Sequence, residues 1–118
     1  MMWLDIAQDH LKAARLLART RPRSAASRSY YAAHCLLTHS LCSRGYVVAG
    51  NRQTPPHREQ PRLVRQFLGM PKLAFLLTRL YARRIDADYN CRATVNAAVA
   101  MDSLRDAHEL FRLLKVKE

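Results

Sequence analysis

Two short segments carry the side chains best suited to chemistry. SRSYYAAHCLL at 27–37 and LYARRIDADYN at 80–90 both combine arginine with tyrosine inside stretches of helical spacing. On a helix, Arg28 and Tyr31 fall on one narrow arc, because an offset of three residues returns to nearly the same face. His34 lies about 120° from Arg28 on the same wheel. The arginine and the histidine are therefore not predicted to form one site.

The second segment places charged residues in the last turn of a predicted helix. Arg83 and Arg84 are followed by Asp88 and Tyr89. Arg84 and Asp88 are an i,i+4 pair, which on an exposed helix stabilises by only a few tenths of a kcal/mol. Alternatively, the planar fork of Arg84 binds a phosphate oxygen pair. Both interpretations are open from the sequence.

A basic stretch, RQTPPHREQPRLVR at 52–65, contains one histidine among four arginines. Guanidinium groups can neutralise phosphate, and the imidazole of His57 can take or give a proton near neutral pH. These residues could hold RNA and supply an acid or base. The alternative is a solvated basic loop without a ligand. The four arginines are Arg52, Arg58, Arg62 and Arg65.

The formal charge of +11 is unevenly distributed along the chain. Residues 10–85 contain fifteen Lys or Arg and a single acid, Glu59. A positive electrostatic field over most of the chain favours polyanionic partners, above all nucleic acid. The alternative is a solubility effect or an arginine-rich composition, since sixteen of the twenty basic residues are Arg.

Metal, cofactor and membrane functions are not predicted. Cys35, His39 and Cys42 share one helix face, but three ligands spread over two turns of one helix cannot close on a single ion about 2 Å away. No apolar run reaches the roughly 18 residues that a membrane span needs. The start of the chain is acidic where a signal peptide is basic. We therefore expect a cytoplasmic protein that binds no metal, cofactor or membrane.

Apolar residues recur at three and four residues through most of the chain, and no strand alternation is present. The pattern predicts an all-α protein: an antiparallel four-helix bundle with an additional short helix after a long loop, in one domain over 1–118. We place N-caps at Ser24 and Thr94 and a C′ glycine at Gly45. The predicted segments are helices at 3–19, 24–45, 61–68, 72–88 and 94–114, and a loop at 46–60.

Taken together, these segments resemble the small HEPN-domain proteins, a helical family whose name refers to higher eukaryotes and prokaryotes nucleotide-binding. SR-x-YYA and R-x-x-ADY, in this order, carry most of the resemblance, which extends over about residues 11–114. The matching segments are AARLLA, SRSYYAA, RGY, TPPH, LTRLYARRIDADYN and the last helix.

The resemblance implies an antiparallel four-helix bundle that forms a homodimer. It also implies a toxin–antitoxin pair with a minimal nucleotidyltransferase. Many relatives are metal-independent endoribonucleases with a histidine four to six residues beyond an arginine. After Arg84, those positions hold Tyr89, Asn90 and Cys91, so the enzyme assignment is undecided.

By resemblance, Arg84 and Arg28 hold phosphate and Asp88 orients Arg84. We expect the toxin-side HEPN component, which binds RNA or a nucleotide in a basic groove. The alternative is a non-catalytic module, in which the YYA face and last helix dock a nucleotidyltransferase or another acidic partner. The catalytic candidates are Arg84, Asp88, Tyr89 and His57; the binding candidates are Arg28, Tyr31, Arg52, Arg58, Arg62, Arg65 and Arg83.

Overall fold

Five α-helices contain most of the residues described in the computed structural model, which are 2–48, 50 and 53–118. No strand occurs among these residues, so the all-α prediction is confirmed. None of the helices is long and apolar enough to cross a membrane. The helices are α1 (Met2–Leu17), α2 (Pro22–Ser43), α3 (Gln60–Leu63), α4 (Pro71–Tyr89) and α5 (Ala97–Leu113).

Helix α2 lies at the centre of the fold and packs against α1, α4 and α5. Every residue from Ala32 to Thr38 is buried, so this part of α2 is covered on all sides. A helix of this kind needs side chains that neighbours can approach closely, and its alanines meet that need. Polar side chains in this helix must then find partners inside the protein.

Two predicted helix starts are wrong. Helix α2 begins at Pro22 rather than after a Ser24 cap, because proline fits the first helical turn, where its missing N–H has no intrahelical partner to lose. Helix α5 is capped by Asn96 rather than Thr94. The Asn96 side chain accepts a 3.0 Å hydrogen bond from the backbone N–H of Val99, which is the N3 position.

Two glycines lie at the ends of helical segments, and both have a positive φ, which favours glycine. Gly45 follows the C-cap residue of α2 with a φ of +94°, which confirms the predicted C′ position. Gly69, with a φ of +62°, ends a π-helical turn at Val64–Leu68. A 3-10 turn at His57–Glu59 precedes α3, so the end of the loop predicted at 46–60 is helical.

Arg23, in the first turn of α2, binds the C-terminal end of α4. Its guanidinium donates hydrogen bonds to the backbone carbonyls of Asp86, Ala87, Asn90 and Ala93, at 2.7 to 3.1 Å. The last carbonyls of a helix have no intrahelical partner and carry partial negative charge. Arg23 donates to two carbonyls in the last turn of α4 and to two in the segment that follows it, and thereby brings SRSYYA next to RIDADY.

Candidate functional site

Arg84 is the centre of the contacts between α2 and α4. Its Nη2 donates a 2.7 Å hydrogen bond to the hydroxyl of Tyr31. Its Nε lies 3.0 Å from Oδ2 of Asp88, an ion pair in which the buried N–H is poorly aligned for a hydrogen bond. Only 16% of the Arg84 side chain is exposed. The guanidinium is therefore held in one place before any ligand arrives.

Three tyrosine rings surround this guanidinium. Its central carbon lies 5.2 Å from the ring centroid of Tyr31, 5.4 Å from that of Tyr89 and 5.9 Å from that of Tyr30. These distances are within the range of cation–π attraction. Burial lowers the pKa of Arg84, but the tyrosines and Asp88 outweigh burial and hold it above its ordinary value. Arg84 is thus a permanent cation.

Arg84 keeps donors available for a ligand. The contact with Tyr31 uses Nη2. None of the described residues accepts a hydrogen bond from Nη1. Tyr89, which lies over the guanidinium, is 72% exposed. A cleft of about 400 Å³ opens beside Asp88 and Tyr89. This cleft is lined by Arg23, Asp88 and Tyr89 rather than by Arg84, so it adjoins the Arg84 site through Asp88 and Tyr89.

Asp88 is positioned by α2 as well as by its own helix. The Ser27 hydroxyl donates a 3.1 Å hydrogen bond to Oδ2 of Asp88, the same oxygen that faces Arg84. The carboxylate is therefore fixed between two helices, as its predicted role in orienting Arg84 requires. Ser27 was not among the predicted site residues, although it belongs to the SR-x-YYA segment.

Arg28 contacts His10 rather than Arg84. It is exposed, and its Nη1 donates to Nδ1 of His10 at 3.4 Å. The His10 ring centroid is 5.9 Å from that of Tyr31. Burial first, and then the charge of Arg28, lower the pKa of His10. These contacts form a polar strip across α1, α2 and α4, and His10 is a member that the sequence did not indicate.

Behind this strip lies a buried polar network of Tyr30, His34 and Gln60. Gln60 Nε2 donates to Nδ1 of His34 at 2.6 Å and to the Tyr30 hydroxyl at 3.4 Å. The rings of Tyr30 and His34 stack with centroids 5.6 Å apart. Burial lowers the pKa of His34 to about 4 and raises that of Tyr30 to about 12. Both side chains are therefore neutral and pack inside the protein.

His57 lies on the edge of Tyr81, whose ring also contacts Tyr30. Both ring nitrogens of His57 are enclosed, and no described residue forms a hydrogen bond with them. Burial, then the charges of Arg84 and Arg58, lower its pKa, so the imidazole is neutral at neutral pH. A cavity of about 190 Å³ opens beside it, which we call the His57 cleft. Its lining includes His57, Gln60, Pro61, Leu77, Thr78 and Tyr81.

The other predicted binding residues are not part of the Arg84 site. Arg83 donates a 2.7 Å hydrogen bond to Asp106 on α5. Arg62 pairs with Glu59 at 3.1 Å, next to α3. Arg58 and Arg65 are exposed along the same short helical segment. The prediction for Arg52 lies outside the described residues.

Among the described residues, no group of three or more histidine, cysteine or acidic side chains is arranged to hold a metal ion. The sulfur of Cys35 is buried, and burial raises the pKa of this thiol to about 11. Cys35, predicted to lie near His39 and Cys42, is therefore a core residue rather than a ligand. The chemistry of the site rests on arginine, tyrosine, carboxylate and imidazole.

No family model, no curated protein and no solved structure matches the chain. The function is therefore inferred from the residues and their contacts.

Proposed function

We propose that this protein is a HEPN-like antiparallel four-helix bundle that binds RNA or a nucleotide through Arg84. Contacts between its two motifs support the proposal. Tyr31 of SR-x-YYA accepts a hydrogen bond from Arg84 of R-x-x-ADY, and Ser27 donates to Asp88. The four long helices α1, α2, α4 and α5, with α2 packed against the other three, supply the elements of the bundle.

The observation that carries the proposal is the state of Arg84. Its side chain is largely buried and oriented by Tyr31 and Asp88, yet Nη1 has no acceptor among the described residues. A guanidinium held in this way loses little conformational entropy when it binds a phosphate oxygen. The exposed ring of Tyr89 adds a surface on which an unpaired base can stack.

Cleavage of RNA would require a proton acceptor as well as a phosphate site. His57 is the predicted catalytic residue whose imidazole could take a proton, but both of its ring nitrogens are enclosed, so they are not open to an RNA hydroxyl. The family's histidine is absent after Arg84, so binding is the proposed function, and the experiment below tests for cleavage separately. The resemblance adds four further parts to the proposal: the protein is the toxin-side component of a pair, its partner is a nucleotidyltransferase, it forms a homodimer, and it is cytoplasmic.

A binding experiment with matched charge losses tests the proposal. Fluorescence anisotropy of labelled single-stranded RNA, over a series of salt concentrations, compares wild type with Arg84→Ala, Arg84→Lys and Arg105→Ala. Arg105 is 74% exposed on α5 and serves as the control for loss of one positive charge. Arg84→Ala should weaken binding about tenfold and lower the salt slope by about one. Arg84→Lys should restore part of the affinity, since lysine keeps the charge but not the fork.

The control should bind within about twofold of wild type, as expected for a rim charge far from the ligand. The same mixtures, with EDTA added and run on a denaturing gel, report cleavage. EDTA-resistant cleavage that Arg84→Ala abolishes adds nuclease activity to binding. If Arg84→Ala keeps its helical circular dichroism spectrum and binds RNA as well as wild type does, Arg84 is not the binding site.

The interaction module has less support from the contacts. The docking face predicted for this module includes the YYA segment. However, Tyr30 is only 3% exposed and Tyr31 is half-buried beside Arg84. These tyrosines are therefore not an open surface for a partner. The positive charge of the chain is still consistent with an acidic protein that competes with RNA for the Arg84 site.

A further inference from the structure

His10 and Arg28 form a second basic cluster, next to the Arg84 site. Nη1 of Arg28 donates to Nδ1 of His10 at 3.4 Å, and this contact lies at the surface of the protein. The ring centroid of Tyr31 is 5.9 Å from that of His10, and the hydroxyl of Tyr31 accepts a hydrogen bond from Arg84. The cluster and the Arg84 site are therefore neighbours that share one tyrosine.

This cluster has basic groups but no counter-charge in contact with them. Among the described residues, no carboxylate forms an ion pair with Arg28 or His10. The charged or titratable groups around His10 are Arg28 and Tyr31 on α2 and Asp9 on α1 itself. Burial and then the charge of Arg28 lower the pKa of His10, and Asp9 opposes them with a smaller effect. A negative ligand would relieve the repulsion that opposes protonation of His10.

The hydrogen bond between the two residues fixes the tautomer of His10. A guanidinium can only donate, so Nδ1 of His10 is the acceptor and the ring proton lies on Nε2. When His10 gains a second proton, both ring nitrogens become donors, and Nδ1 can no longer accept from Arg28. An anionic oxygen between the two side chains would accept from both. Such charge-assisted hydrogen bonds are about twice as strong as neutral ones.

We propose that His10 and Arg28 form a second phosphate site, which binds the RNA backbone beside the phosphate held by Arg84 and takes up a proton on binding. The proton comes from solvent and binds to Nδ1 of His10. The inference rests on the proposed function, because both phosphates would belong to one strand. Since the phosphate stabilises the imidazolium, the complex holds more protons than the free protein and RNA. RNA affinity should therefore rise as the pH falls.

A pH series of RNA binding tests the second site. Anisotropy titrations with labelled single-stranded RNA are run at constant salt between about pH 8 and about pH 5.5, a range that includes the ordinary pKa of histidine. Wild type should bind up to about tenfold more tightly at the lower pH, because a neighbouring negative charge raises a histidine pKa by about one unit. Circular dichroism at each pH verifies that every variant keeps its helices.

Two pairs of variants assign the effect to His10 and Arg28. His10→Gln keeps an acceptor for Arg28 but cannot gain a proton, so its affinity should not rise in acid. His39→Gln, on α2 and outside both sites, controls for the loss of a histidine and should keep the rise. Arg28→Ala should lower the salt slope by about one, whereas Arg105→Ala should leave it unchanged.

The inference is overturned if wild-type affinity is independent of pH, or if His10→Gln keeps the rise. Arg84→Ala separates this outcome from the proposed function, because that variant should bind weakly at every pH and still gain affinity in acid. A wild type that loses affinity through Arg84→Ala but shows no dependence on pH would retain the Arg84 site and refute the second one.

NMR spectroscopy of the His10 ring examines the second site without RNA. Inorganic phosphate is added to Arg84→Ala, which lacks the first site, and sodium chloride of equal ionic strength is the control. Phosphate should raise the pKa of His10, and this rise should be absent when Arg28 is also replaced by alanine. An unchanged pKa would refute the site whether or not the protein binds RNA.

Discussion

Arg83 and Arg84 are neighbours on α4, but they meet opposite surroundings. Arg83 faces α5, where it donates to the carboxylate of Asp106 at 2.7 Å. Asp106 also pairs with Arg79 at 3.2 Å, and its side chain is only 10% exposed. Arg84 faces α2, where its hydrogen-bond acceptor is the neutral hydroxyl of Tyr31.

The difference lies in the groups that surround each cation. Asp106 already gives Arg83 the buried counter-charge that a cation in this position needs. Arg84 has a single carboxylate, Asp88, which is more exposed, at 28% of its side chain. Tyrosine rings supply the remaining contacts without neutralising the charge. Arg83 therefore joins α4 to α5 through a shared carboxylate, whereas Arg84 joins α4 to α2 within a cluster of tyrosine rings.

The largest expected effect is on stability, at the Asp106 region. Asp106→Ala removes the counter-charge of a mostly buried Arg83, and we expect a loss of about 3 kcal/mol in the free energy of unfolding. Asp88→Ala removes the partner of Arg84 at a more exposed position and should cost less than about 1 kcal/mol. Urea unfolding of both variants measures the contrast. Equal losses would show that the two ion pairs are equivalent.

The next effect is a loss of stability at low pH, and it comes from His34 in the buried network behind Arg84. The pKa of His34 is lowered to about 4 in the folded protein, from about 6.5 when unfolded. The unfolded chain therefore binds more protons between these values, and stability should fall as the pH falls from about 6.5 to 4, by about 3 kcal/mol in total. Urea unfolding at several pH values measures this slope.

The control for the acid effect is on the same helix. His34→Gln removes the titrating group and should flatten the slope, whereas His39→Gln leaves the buried network intact and should not. Because His10 and His57 also have lowered pKa values, a smaller slope should persist in His34→Gln. An unchanged slope in this variant would assign the acid sensitivity to other groups.

The smallest expected effect concerns the hydroxyl that orients Arg84. Tyr31→Phe removes one hydrogen bond to a charged group but keeps the aromatic ring, so RNA affinity should fall by a few-fold, about 1 kcal/mol. Tyr46→Phe, outside the Arg84 site, controls for the loss of a tyrosine hydroxyl. Anisotropy titrations compare the two. If Tyr31→Phe binds more tightly than wild type, the hydroxyl competes with phosphate instead of orienting Arg84.

The sequence predicted the helical elements well where local chemistry decides them. Gly45 lies at the C′ position of α2, since a left-handed backbone conformation favours glycine. The caps were less predictable, because Thr94 and Asn96 both have suitable side chains. Only Asn96 lies three residues before an N–H that it can reach in the folded chain.

Within a helix, side-chain spacing was also predictable. The Arg84–Asp88 pair and the stacking of Tyr30 on His34 both follow from an offset of four residues. Contacts between helices were not predictable in this way. Tyr31 and Arg84 are separated by 53 positions, and their contact depends on how α2 and α4 are rotated about their axes.

The amino-acid sequence by itself determined the helical class, the strong positive charge and the pairs that lie on one helix face, because these depend on composition and on a period of 3.6 residues. Only the tertiary structure decided that Arg83 pairs with Asp106 and that Arg84 lies among tyrosines. It also enclosed His57 against Tyr81 and brought Arg23 to the end of α4. The physical reason is that such contacts require a specific rotation and axial position of each helix, which the packing of the whole core selects.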